Sequence, residues 1–147
     1  IWNNVSAGSY DLTSVATDNV GATGASSVVS ISVATGPPAN VALNKPVTVS
    51  SEQASNPGSN MVDGDPDSRW SASGFPQWVQ VDLGSTHSIS STELVCFSDR
   101  AYQFIIEVST NGSSYSTIVD RSSNTTPGTN SAPITDNVAA VDGRYVR

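Results

Sequence analysis

From residue 47 to residue 147, short runs of β-branched and aromatic residues alternate with clusters of Gly, Pro, Asn, Asp and Ser. This rhythm constrains the fold more than any other feature: runs of this length, punctuated at regular intervals, predict strands of an all-β sandwich or barrel. The runs are VTVSS (47–51), QWVQVDLG (77–84), ISSTELVCF (89–97), FIIEVST (104–110), YSTIVD (115–120) and RYVR (144–147). Almost none of the chain carries helical periodicity. Asn111-Gly112 between two of the runs is a strong hairpin signal, because both residues tolerate the positive φ of a type I′ turn.

The first third repeats the rhythm on its own. SYDLTSVA (9–16) and SSVVSISVA (26–34) are strand-like, with Val29, Ile31 and Val33 on one face, and TDNVGATG (17–24) between them is turn material. Two paired strands alone are marginal in water. Residues 1–34 are therefore expected to be a short β-hairpin remnant, the end of a sandwich domain, with Trp2 in it. AGSYDLTSVATDNVG (7–21) resembles the last two strands of the bacterial Ig-like modules common in secreted enzymes. Residues 35–39, TGPPA, read as a semi-rigid linker, and residues 40–147 as a second domain. A chain that starts at Ile1, with strand-like sequence already under way, is expected to be a slice of a longer polypeptide.

Composition narrows the partners. The net charge is −7, and no basic cluster occurs among only 6 Lys and Arg residues. Duplex nucleic acid and anionic membrane surfaces, whose affinity rests on cationic side chains, are disfavoured. No apolar stretch approaches the roughly 20 residues that a membrane-spanning helix needs. Cys96 is the single cysteine, which excludes an intrachain disulfide; within LVCF it reads as a small buried hydrophobe.

VDGDPDSRW (62–70) places Asp63, Asp65 and Asp67 on alternate positions of one loop. Close like charges repel unless water, an arginine or a cation compensates them. The spacing imitates the first half of an EF-hand, but the sixth and twelfth positions are Ser68 and Gly74 rather than Gly and Glu. Pro57, Gly58 and Pro76 around it signal turns rather than helices. A hard cation here would need another scaffold.

The ordered motifs NVALNKPVTVSSE, MVDGDPDSRWSA, QWVQVDLG, FIIEVSTNGSSY and GRYVR, from residue 40 to 147, resemble the factor 5/8 type C, or discoidin, domain, whose bacterial members are largely carbohydrate-binding modules of family 32. The resemblance implies a jelly-roll-like β-sandwich (galactose-binding-domain-like), about eight strands in two face-to-face sheets. It also implies a structural calcium ion on the acidic loop. The ligands would be the Asn60 carbonyl, the Asp63 carboxylate, a carboxylate or carbonyl of Asp65, and the carbonyl and hydroxyl of Ser68, with Gly64 and Pro66 shaping the bend. Asp67 would face solvent or cap the turn. Oxygen-only ligands suit calcium better than zinc or copper. Relatives continue past the RYVR strand into a last strand carrying further calcium ligands, so that strand is expected to be missing here and the metal site incomplete.

The same resemblance places a sugar site on loops beside the calcium loop, formed by Phe75, Asp99, Arg100 and Tyr102. Arg100 would donate to a sugar hydroxyl or carboxylate, or else pair with Asp99. Glu52 and Gln53 are weaker candidates. Trp70 and Trp78 are expected in the core, and His87 in an exposed turn. No G-x-S-x-G elbow supports a nucleophile, and Asp63 and Asp65 lack the groove that glycosidase carboxylates need. The expected function is a non-catalytic carbohydrate-binding module. It would be secreted or on the cell surface, covalently linked to a catalytic domain, and would target a polysaccharide- or glycan-degrading enzyme to its substrate. The alternatives are an adhesion module and a spacer. Net acidity disfavours strongly anionic polymers, while leaving Arg100 able to meet one carboxylate.

Overall fold

A computed structural model of the protein describes residues 5–33 and 39–147. Residues 1–4, with Trp2 and Asn4, and all of the expected linker except Ala39 lie outside the described residues. The chain divides into two compact units, Ile1–Ala39 and Asn40–Arg147.

In the first unit, β1 (Gly8–Leu12) pairs antiparallel with β4 (Val29–Val33), and β2 (Val15–Thr17) with β3 (Thr23–Ala25). The expected hairpin is thus two nested pairs, interrupted where Ser26 N–H bonds the Ser14 carbonyl. Asp18 closes the turn, its Oδ1 accepting from the Val20 and Ala22 N–H groups. None of the described side chains of this unit is fully buried; Tyr10, Ile31 and Val33 are half-buried.

The second unit is a five-stranded antiparallel sheet in the order β5-β6-β9-β7-β8. Its strands are β5 (Val47–Val49), β6 (Val79–Leu94), β7 (Phe104–Ser109), β8 (Ser116–Arg121) and β9 (Ile134–Val146). QWVQVDLG and ISSTELVCF, expected as separate strands, form the continuous β6. Most of β9 was not foreseen, because ITDNVAAVDG is poor in strand formers; pairing along β6 overrides that local preference.

Two long strands make the sandwich. Val81 and Ile89 are eight residues apart, which a straight strand would stretch to roughly 26 Å. Both nevertheless belong to one buried cluster with Leu83 and Val108. Val81 is in register with Val146, which is in register with Val108. From the other side, a Cβ on Gly143 would sit 3.0 Å from Ile89 Cδ1 and 3.1 Å from Val108 Cβ. Both halves of β6 therefore converge on Val108. The fold-over occurs at the register shift between Asp82 and His87, where Gly84 takes φ +86. A single hydrogen-bonded ladder thus curls to supply the two facing layers. Asp82 stiffens the corner: its Oδ1 accepts from Gly84 N–H, and Arg144 on β9 grips both its oxygens at 2.8 and 2.9 Å.

Alternation along β6 decides which aromatics are inside. Val79, Val81 and Leu83 point inward, so Trp78 falls on the other face and is 41% exposed, contrary to the core position expected of it. Trp70 is half-buried, its indole N–H donating to the Ser51 carbonyl at 3.0 Å. His87 is half-buried, not exposed, with Nε2 3.1 Å from Ser85 Oγ. Cys96 is buried and free, as expected.

Candidate functional site

Three loops gather at one end of the second unit. β7 begins where β8 ends, with Phe104 opposite Arg121, and β6 ends where β9 begins, with Leu94 opposite Ile134. The segments after β6 and after β8 are tied together: Cys96 N–H donates to the Gly128 carbonyl, and Asn124 Nδ2 to the Tyr102 carbonyl. Asn124 is 8% exposed with its amide engaged, so the N-x-T sequence there is no accessible glycosylation site. The acidic loop joins the group through Arg69, whose guanidinium carbon lies 3.8 Å from the Phe97 ring centroid.

The acidic loop is irregular, as its turn residues require. A single 3-10 turn, Gly58–Met61, leads into it. Gly64 makes the bend with φ +81, a conformation in which a side chain would be strained and would press on Leu43 Cδ1. Asp63 is the hub. Its Oδ1 accepts from the Asp65 N–H at 2.9 Å and its Oδ2 from the Ser68 hydroxyl at 2.8 Å. The Asp65 backbone first, and the Ser68 hydroxyl second, hold the Asp63 carboxyl below its ordinary pKa, so it is ionised and purely accepting. Ser68 Oγ also lies 3.2 Å from the Asn60 carbonyl oxygen. Oxygens of Asn60, Asp63 and Ser68 therefore meet at one place. The Asp65 carboxylate does not join them through Oδ1, which accepts from the Asp67 N–H at 2.9 Å. Asp67 is exposed. No group of three or more His, Cys, Asp or Glu side chains poised to hold a metal occurs among the described residues. The oxygens that converge are thus one carboxylate, one hydroxyl and one carbonyl, a hard and partial donor set that fits calcium chemistry and no softer metal.

The second cluster is aromatic and cationic. β6 ends at Leu94, earlier than LVCF suggested, and the chain turns at Phe97–Asp99 with Ser98 at φ 55 and Asp99 at φ 54. Arg100 and Tyr102 follow on the same loop. The turn leaves Phe97 44% exposed, with the guanidinium carbon of Arg69 at 3.8 Å and that of Arg100 at 6.0 Å from its ring centroid. The ion pair between Asp99 and Arg100 weighed from the sequence is not among those formed by the described residues. Tyr102 is 39% exposed. Phe75 stands on another loop, at 99% exposure, braced by Gln77, whose Nε2 donates to the Ser73 carbonyl. Glu52 and Gln53 are engaged structurally, accepting from Gly58 N–H and the Ser71 hydroxyl. Sequence reasoning missed Phe97 and Arg69. Phe97 read as the end of a strand and Arg69 as the closure of the acid loop; the only available hint was the turn-forming Ser98-Asp99 immediately after the aromatic.

Solved structures share this architecture. Chitosan-binding module 2 of a chitosanase/glucanase from Paenibacillus sp. IK-5, solved in complex with chitotriose, is 32% identical, with TM-score 0.62 over 73% of this chain and 83% of that one. Module 1 of the same enzyme is 30% identical, with TM-score 0.61 over 74% and 83%. CpGH89CBM32-4, produced by Clostridium perfringens and solved in complex with GlcNAc-α-1,4-galactose, is 28% identical, with TM-score 0.63 over 77% and 78%. None of the curated proteins matches. The sequence family described as NedA-like, galactose-binding domain, of the F5/8 type C group, matches residues 60–147, and the chain belongs to that family.

Proposed function

We propose that the second unit is a non-catalytic carbohydrate-binding module whose ligand sits on the loops around Phe97, Arg100, Tyr102 and Phe75. The observation that carries this reading is the open Phe97 ring with guanidinium groups beside it. An apolar ring face suits the C–H face of a sugar, and fixed N–H donors suit its oxygens. The binding of chitotriose and of GlcNAc-α-1,4-galactose by similar modules supports the same ligand class. Such a cradle is shallow, so single-site affinity is weak and the benefit comes from tethering. In this reading the module belongs to a secreted enzyme and holds a covalently linked catalytic domain at its polysaccharide. The first unit is the end of an Ig-like spacer.

Calcium is the structural cofactor in this proposal. The Asn60 carbonyl, the Asp63 carboxylate and the Ser68 hydroxyl would hold it, with Asp65 shaping the loop. Such an ion takes about six to eight oxygens, so water and further carbonyls would complete it. Its charge would fix the acidic loop and, through Arg69, the position of Phe97. The function is tested by titrating the chain with an oligosaccharide panel that includes chitotriose. Binding that weakens in Phe97→Ala, with an unchanged melting temperature, is expected; a folded protein that binds no glycan overturns the proposal.

A further inference from the structure

We infer that the Arg69–Phe97–Arg100 face selects glycans carrying a carboxylate on the sugar it contacts, a uronic acid within a sparsely charged chain. This inference rests on the carbohydrate-binding reading and names the class of sugar. The chain has five arginines, and among the described residues three are held by carboxylates. Arg121 meets Asp136 at 2.6 Å, Arg144 meets Asp82 at 2.8 Å, and Arg147 meets Glu107 at 2.9 Å. Arg69 and Arg100 make no such pair among the described residues, and both guanidinium groups lie against the same ring, at 3.8 and 6.0 Å from its centroid. Two like charges gathered this closely, within about one Debye length at physiological salt, raise the local potential rather than cancel it.

The neighbouring acids do not cancel it either. Asp63 is engaged by Asp65 N–H and the Ser68 hydroxyl, and Asp65 by Asp67 N–H. Asp99, on the same turn as Phe97, makes no ion pair with Arg100 among the described residues. In a chain of net charge −7, a pair of cations without partners beside an open aromatic ring is the local exception. A guanidinium presents a planar fork of donors that matches a carboxylate bidentately, and such charge-assisted bonds are about twice as strong as neutral ones. The exposed part of Phe97 remains for the sugar's C–H face. The net negative charge repels dense polyanions, which restricts the ligand to chains with isolated acidic sugars.

The experiment is a calorimetric titration of the whole chain with digalacturonic acid and with the neutral galactose disaccharide of the same linkage. Expected is a preference of about tenfold or more for the acidic sugar, because a charge-assisted contact contributes roughly a tenfold factor or better. That preference is expected to shrink as salt rises and to fall toward unity in Arg100→Gln, whose side chain is exposed, with the melting temperature unchanged. The arginine Nε–Hε resonances of Arg69 and Arg100 are expected to shift with the acidic sugar only. Equal or tighter binding of the neutral sugar overturns the inference while leaving carbohydrate binding intact. A preference that survives the folded Arg69→Gln/Arg100→Gln double variant also overturns it. Failure of both sugars and of chitotriose to bind overturns the inference and the proposed function together.

Discussion

The sheet of the second unit and the loop end above it use the same residue types in opposite ways. In the sheet, Arg121, Arg144 and Arg147 each close on a carboxylate of a facing strand, and hydrophobic side chains such as Leu83 are 1% exposed. At the loop end, Arg69 and Arg100 lie on a ring instead of a carboxylate, and Phe75 and Phe97 are largely open to solvent. A frame satisfies its own charges and buries its own apolar surface. A recognition surface leaves both for something else to satisfy. The difference teaches where to look for function in a chain with no enclosed cleft: at groups whose obvious partners are missing.

Substitutions can break that comparison, and the largest effect belongs to the frame. Leu83→Ala is expected to cost about 2–5 kcal/mol in denaturant unfolding, the usual range for emptying a core site. Gly58→Ala follows, at about 1–3 kcal/mol. A Cβ there would come within 2.4 Å of Val49 Cγ1, so β5 or the turn must shift. Third is the corner at Asp82. Arg144 holds its carboxyl at a pKa of about 2, below the ordinary 3.8. A depressed carboxylate stabilises the fold above its unfolded pKa, and that contribution is lost as pH falls from about 3.8 toward 2. The melting temperature is expected to decline across that window, and Asp82→Asn should flatten the decline.

At the loop end the effects on stability are smaller and the effects on binding larger. Calcium is expected to raise the melting temperature modestly and Asp63→Ala to abolish the increment; identical curves with calcium and with a chelator would remove the metal from the account. Smallest of all, Arg100→Ala is expected to change stability by no more than about 0.5 kcal/mol, as at surface positions free of structural roles. A larger loss would turn Arg100 into part of the frame and erase the contrast.

Much of the fold could be read from the runs themselves. β5, β7 and β8 lie where Val, Ile and Tyr cluster, and the Asn111-Gly112 turn joins β7 to β8, with Gly112 at φ +74. The bend at Gly64 was legible too, since glycine between aspartates has few other uses. β9 was not, because its Asp, Asn and Ala residues become strand only by pairing with β6. Trp78 misled for a related reason. Its size favours burial, yet its parity on β6 is opposite to that of Val81 and Leu83, and parity decides which face a side chain takes.

The sequence by itself determined the strand-and-turn rhythm, the acidic loop with its glycine bend and the absence of a disulfide, because these depend on local backbone preference and composition. Only the tertiary structure decided that Arg69 and Arg100, 31 residues apart, face one ring on Phe97, that Asp63 rather than Asp65 is the hub of the acidic loop, and which arginines already have partners. Pairing of charges is a property of distance across the fold, and distance along the chain says little about it once β6 has turned back on itself.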